Sequence, residues 1–168
     1  MNIRRAEAHE LEEVFMMGYD SWGAGLPIEM YIDSCFASYK YKLGQFYVLE
    51  DGEQLLSSCI VYPLGAFGGA VSERAVGLGS LATVTSERHK GYATMFLAAL
   101  MAKLEGEGVD AFFIHSDIHP KIYENLGFRP APEKYRSKAD LSVPMLRLSG
   151  GRPVPHELWH ELVMPTYF

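Results

Sequence analysis

Leu81-Ala82-Thr83-Val-Thr-Ser-Glu-Arg88-His89-Lys90-Gly91-Tyr92-Ala93 is the stretch whose residue types and spacing bear most directly on chemistry. A β-branched run ends in a polar turn, and a long apolar helix starts inside an Arg-x-x-Gly-x-Ala loop. A helix start leaves backbone N–H groups unpaired at the positive end of the helix dipole. A concave set of such amides, here those of residues 88–94, binds phosphate. Gly91 lets the backbone approach an anion closely, and small Ala93 keeps the entrance open. The side chains of Arg88, His89 and Lys90 add positive potential, and Thr94 can cap the helix or touch a phosphate oxygen.

Three other constellations compete for attention. Gly77-Leu-Gly79-Ser-Leu-Ala82 fits a dinucleotide pattern, but that motif should open a helix and here it runs on into Ala-Thr-Val-Thr, which reads as strand. His156-Glu157-Leu-Trp-His160 fits the H-E-x-x-H zinc pattern, with both histidines on one helix face and Glu157 as base. No downstream third ligand has room to appear, so the expectation is a short terminal helix docking Leu158, Trp159 and Leu162, and no metal. His115-Ser116-Asp117-Ile-His119 alternates potential ligands, but a strand end turning into a helix fits better.

The elements that must position these residues follow from periodicity and punctuation. Asn2–Ala6 reads as a strand, and His9–Tyr19 as an amphipathic helix with Leu11, Val14, Phe15 and Met17 near one face. Gly18, Gly23 and Gly25 break that helix, and Pro27 opens a second, through Phe36. Gln45–Glu50 and Gln54–Tyr62 are strands about an Asp51-Gly52 turn. A glycine-rich connection over Pro63–Val71 leads to a strand over Arg74–Val84. The helix Tyr92–Glu105 carries Tyr92, Met95, Phe96, Ala99 and Leu100 at helical spacing. A strand buried on both faces (Val109–His115), a short helix (Pro120–Leu126) and a late strand (Lys138–Leu148) complete the order βαα-βββ-α-β-α-β. The class is mixed α/β with a strand–helix–strand crossover in the middle.

Composition sets outer bounds. The 168 residues suffice for one domain with a real core, 48% of them apolar and 21% charged. A net charge of −6 argues against a nucleic-acid surface and weakly favours a cationic partner such as an amine. Cys35 and Cys59 give neither a disulfide framework nor a zinc spacing, and fit a reducing cytoplasm. Arg4 and Arg5 precede no apolar stretch of a secretory leader, and no apolar run is long enough to span a membrane.

The loop resembles the acyl-CoA pyrophosphate loop of the GNAT N-acetyltransferases, Arg/Gln-x-x-Gly-x-Gly/Ala, matching it at Arg88, Gly91 and Ala93. Tyr123-Glu-Asn-Leu-Gly127-Phe128 resembles a second element of that family, and the likeness runs from about residue 3 to about residue 148. The resemblance implies a GNAT fold, a mixed sheet split where the cofactor enters, over 1–148. Residues 149–168 then form a linker, short helix and tail. It implies acetyl-CoA as cosubstrate and direct attack of an amine on the thioester, with the acceptor a small molecule or a peptide or protein amine. It assigns the pantetheine arm and acetyl carbonyl to the backbone of Leu81, Ala82 and Thr83, and the general acid to Tyr123. A phenol near pKa 10 can donate to a thiolate whose acid has a pKa of about 8.5.

The family's strand carboxylate has no counterpart between Ala75 and Val84. Asp117, His115, Glu73, a water chain or the carboxylate of Phe168 remain as the base. Ser116 stands where the family has Asn and is expected to make a weaker version of the same cofactor contact. The aromatic-rich region containing Trp22 and Tyr31 matches the part that covers the acceptor in the family, and His115 also lies on the acceptor side. A homodimer is the default assembly. The alternative function is a CoA-binding regulatory or structural domain without transfer, and a zinc peptidase ranks third.

Overall fold

The computed structural model describes residues 1–67, 71–117, 120–136 and 142–162. The chain forms two compact units, one of Met1–Tyr62 with Ser80–Leu100, the other of Pro63–Gly79 with the chain from Met101 onward. Seven strands make one mixed sheet in the order β1-β2-β3-β4-β5-β7-β6. They are β1 (Asn2–Arg5), β2 (Gln45–Asp51), β3 (Gln54–Phe67), β4 (Val71–Thr83), β5 (Ala111–Ser116), β6 (Arg129–Pro130) and β7 (Val143–Leu148). The helices are α1 (Leu11–Met16), α2 (Tyr19–Trp22), α3 (Ile28–Ala37), α4 (Tyr39–Leu43), α5 (Tyr92–Gly106), α6 (Lys121–Glu124) and α7 (Leu158–Glu161). No helix among the described residues is long and apolar enough to cross a membrane.

In the first unit β1 and β2 pair antiparallel from Asn2↔Glu50 to Arg5↔Tyr47, and β2 pairs β3 antiparallel about the Asp51-Gly52 turn. Gly52 has φ +63, which the tight turn requires. The expected first helix is interrupted. Gly18 separates α1 from α2, and a Cβ on Gly18 would lie 2.1 Å from two ring carbons of Trp22. The break therefore lets the Trp22 ring lie against bare backbone. Phe15 anchors an aromatic cluster with Phe36, Tyr41 and Phe46 at centroid distances of 5.1, 5.6 and 5.7 Å.

The stripe on α5 differs from the expected one. Phe96, Leu97, Leu100 and Met101 are the buried residues of its first three turns, while Met95 is 43% exposed and Ala99 is also exposed. The buried face is rotated by about one residue, since a helical side chain covers the turn N-terminal to its own Cα.

In the second unit β5 is buried along Ala111–Ile114, as the unbroken apolar run predicts. It pairs parallel with β4 from Ala75↔Ala111 to Leu78↔Ile114 and antiparallel with β7 along its whole length. The helix α5 is thus the crossover between two parallel strands. The strands reach further than expected into the glycine-rich stretch: β3 runs on to Phe67, past Gly65 at φ +67, and β4 starts at Val71. The late strand begins at Val143, and residues 138–141 of the expectation lie outside the described residues. α7 docks as expected: Leu158, Trp159 and Leu162 are buried with Ala111, Phe113 and Leu146.

Candidate functional site

The first unit builds the Arg88–Thr94 loop from the end of β4. Val84 N–H donates to the Leu56 carbonyl at 3.0 Å, and the buried hydroxyls of Ser57 and Thr83 pair at 2.8 Å. These bonds fix where the strand stops. A 3-10 turn over Thr85–Glu87 follows, and Arg88 is extended. His89 then takes φ +63 and Gly91 φ +84, two left-handed residues within a three-residue span. Only the second is a glycine, so the backbone at His89 carries strain of the kind that collects at binding sites.

α5 makes its first helical bond from Met95 N–H to the Gly91 carbonyl at 3.0 Å. Among the described residues, no backbone hydrogen bond uses the N–H of His89, Lys90, Gly91, Tyr92, Ala93 or Thr94. The amide of Arg88, counted with this set from the sequence, donates to the Thr85 carbonyl at 3.4 Å. The space beside Gly91 is open, with nothing within 4 Å of where a Cβ would stand. Six consecutive amides of the described residues thus stay outside backbone pairing at the positive end of a fifteen-residue helix.

The loop's cations are less free than its composition suggests. The Arg88 guanidinium is bound by Asp20, and Lys90 Nζ lies 2.9 Å from the Glu87 carboxylate. That hydrogen bond from Arg88 holds the Asp20 carboxyl below its ordinary range. His89 is exposed. With these cations paired, the positive potential of the loop lies mainly in its backbone amides. Asp20 gave no sign in the sequence of belonging to this loop, since it lies 68 residues from Arg88.

Upstream of the loop, Leu81 is half-buried and Ala82 and Thr83 are buried. Ser80 has φ +45 inside the strand, and its hydroxyl donates to the Tyr41 hydroxyl at 3.3 Å. The kink turns the backbone one residue before Leu81–Thr83. Nothing in the sequence signalled Ser80, and Tyr41 stood out only as one of the aromatics of the first-helices region.

Trp22 is 42% exposed on α2. Tyr31 is buried, donates its hydroxyl to the Phe15 carbonyl at 3.2 Å and packs on Tyr19. Burial pushes its phenol well above the ordinary range. Tyr31 thus joins α3 to α1.

The second unit gathers the other expected residues. His115 and Ser116 end β5, and Asp117 follows, exposed. Ser116 is buried, and His115 Nδ1 lies 3.3 Å from the hydroxyl of buried Ser142. β4 pairs with β5 as far as Leu78↔Ile114, while β5 runs on to Ser116 and β4 to Thr83. Tyr123 is buried on α6 with its ring edge-on to Phe128 at 6.2 Å. Its carbonyl accepts from Leu126 N–H at 2.9 Å and Phe128 N–H at 3.1 Å. Gly127 at φ +89 closes this turn, so Tyr-x-x-x-Gly-Phe is a self-contained device for holding the Tyr.

Other motifs resolve as structure. Gly77–Ala82 lies within β4 and opens no helix. The His156 and His160 rings are 5.5 Å apart, but the described residues contain no group of three His, Cys, Asp or Glu able to hold a metal. His119, the tail residues Tyr167 and Phe168, and the side chain of Glu73 lie outside the described residues.

A sequence model of the acetyltransferase (GNAT) domain matches residues 2–131. A search of curated proteins finds no match. Among solved structures, the chain is similar to a GNAT family acetyltransferase from Brucella melitensis in complex with acetyl-CoA, at 18% identity over 92% of this chain and 90% of that one, with a TM-score of 0.59. It is similar to a GNAT family N-acetyltransferase from Escherichia coli in complex with CoA, at 18% identity, 88% and 80% coverage and a TM-score of 0.64. It is also similar to the Escherichia coli ribosomal-protein-S18-alanine N-acetyltransferase, at 17% identity, 88% and 92% coverage and a TM-score of 0.62.

Proposed function

This chain belongs to the GNAT acetyltransferase family, and we propose that it moves an acetyl group from acetyl-CoA to a primary amine by direct attack on the thioester. The observation that carries the reading is the loop: two left-handed residues, six amides outside any backbone bond, and open space beside Gly91. That arrangement suits the pyrophosphate of CoA, whose charge the helix dipole also favours. The backbone of Leu81, Ala82 and Thr83 aligns the pantetheine arm, and an N–H there stabilises the oxyanion. Ser116 contributes a hydroxyl to the cofactor.

Tyr123 protonates the CoA thiolate as it leaves. The C–S bond breaks as the amine nitrogen bonds the acetyl carbon, and Asp117 takes the surplus proton from nitrogen. Trp22 and His115 face the acceptor, and Tyr31 supports the helices that carry Trp22. The acceptor is a small-molecule, peptide or protein amine, favoured as a cation by the net charge of −6. A cytoplasmic setting and a homodimer complete the proposal.

The test is thiol release from acetyl-CoA across a panel of small amines, amino acids, peptide N-termini and lysine peptides. The reading expects release that depends on the amine and saturates with it. Release no faster than hydrolysis with every amine would leave the loop as a binding module without transfer.

A further inference from the structure

Arg88 is the residue of the loop whose geometry goes furthest beyond an added positive charge. Its Nε donates to the Thr83 carbonyl at 3.0 Å. Nη2 donates to the Met17 carbonyl at 3.1 Å and to Asp20 Oδ1 at 2.8 Å, and Nη1 donates to Asp20 Oδ2 at 2.5 Å. A guanidinium has five N–H donors, so these four bonds leave little to offer a ligand. The acceptors belong to three places: the end of β4, the α1–α2 junction, and α2 itself, where Asp20 stands two residues before Trp22.

We infer that Arg88 is a positioning residue: acting through Asp20, it sets the geometry of the phosphate loop and the place of Trp22 together. The inference rests on the reading of the loop as the acyl-CoA site. An isolated pair this exposed (30% for Arg88, 49% for Asp20) contributes little by charge alone. What it adds is direction, because the planar fork fixes Asp20 at two oxygens while the remaining donors hold two backbone carbonyls. Arg88 then leads straight into His89 at φ +63, a conformation that the surroundings must impose. The Trp22 ring itself lies against bare Gly18.

The sign of one substitution separates this from simple electrostatics. Asp20 is an anion beside a site for a polyanion, so a through-space effect makes Asp20→Asn bind CoA more tightly. Loss of positioning makes it bind more weakly, since a loop that must be ordered on binding loses affinity.

CoA is titrated calorimetrically into the wild-type protein, Asp20→Asn, Asp20→Glu, Arg88→Lys and the Asn/Lys double variant. The inference expects the dissociation constant to rise about 5–10-fold in Asp20→Asn and in Arg88→Lys, with Asp20→Glu recovering most of the loss. The double variant should be no worse than the worse single one. In a Trp159→Phe background, where Trp22 is the only tryptophan, saturating CoA should protect Trp22 from acrylamide quenching, and Asp20→Asn should abolish that protection. Equal or tighter binding by Asp20→Asn, additive losses, or protection that survives Asp20→Asn would each overturn the inference while leaving the loop reading intact. Arg88→Lys keeps the charge and makes the same comparison if Asp20→Asn does not fold. A wild-type protein that fails to bind CoA removes the loop reading and this inference with it.

Discussion

The proposed mechanism gives Gly91 and Tyr123 separable parts of the chemistry, and each can be altered without touching the other. Gly91 sits at φ +84 with open space beside it, so an added methyl meets no atom and only the backbone conformation is penalised. A left-handed alanine costs about 1–2 kcal/mol, enough to move the loop out of the anion-binding shape. Gly91→Ala should therefore weaken acetyl-CoA binding by about 5–30-fold with little change in melting temperature, as calorimetry and thermal unfolding would report. Tyr123→Phe keeps the ring that packs on Phe128 and deletes only the proton donor. Turnover should fall about 100-fold or more, with CoA affinity within twofold of wild type; unchanged turnover would remove Tyr123 as the acid. The sequence marked both residues through their match to family motifs, and at Gly91 the left-handed backbone gives the physical reason for the residue type. It could not mark Asp20, because an acidic side chain on a short helix looks like any solvated acid until the fold brings Arg88 to it.

The elements were legible where one local rule governs them. The unbroken apolar run of β5 announced a strand buried on both faces, and the Asp51-Gly52 turn announced the hairpin of β2 and β3. They were hidden where tertiary contact decides. β6 has two residues, exists through pairing with Leu146 and Met145, and leaves no periodicity to read. The break after α1 was signalled by Gly18, but its purpose was not: the glycine admits the Trp22 ring. Gly18→Ala should push Trp22 off the α1–α2 junction. A red shift in its fluorescence and a loss of about 1–3 kcal/mol in urea unfolding would register the change. An unshifted spectrum with full stability would mean that the ring does not need that bare backbone. The same substitution should raise the KM for the amine more than that for acetyl-CoA if α2 covers the acceptor.

At the scale of the whole molecule, stability depends on pH through a charge network in the first unit. Arg4 on β1 donates to both oxygens of Glu10 at 2.6 and 2.8 Å and to Glu50 on β2 at 2.5 Å. Glu10 also accepts Glu7 N–H at 2.7 Å. The hydrogen bonds from Arg4 are the main reason that the Glu10 carboxyl is pulled down to about 2, against about 4.3 in an unfolded chain. A depressed carboxylate stabilises the fold above the unfolded value, and that contribution is lost as pH falls towards the folded one. Glu10→Gln should therefore cost about 1–3 kcal/mol at pH 7, and the gap to wild type should close between about pH 4.5 and pH 2 in urea unfolding curves. A gap that stays constant with pH would mean that the network contributes nothing through ionisation. Net charge acts at the same scale: under the proposed function, −6 over the chain would favour a cationic acceptor and leave the cofactor phosphates to the loop. Everything proposed for the chain depends on that loop taking the cofactor, so the most direct measurement is a calorimetric titration of acetyl-CoA into the wild-type protein. The account predicts saturable binding at one site per chain with micromolar affinity, and absence of binding at millimolar acetyl-CoA would contradict it.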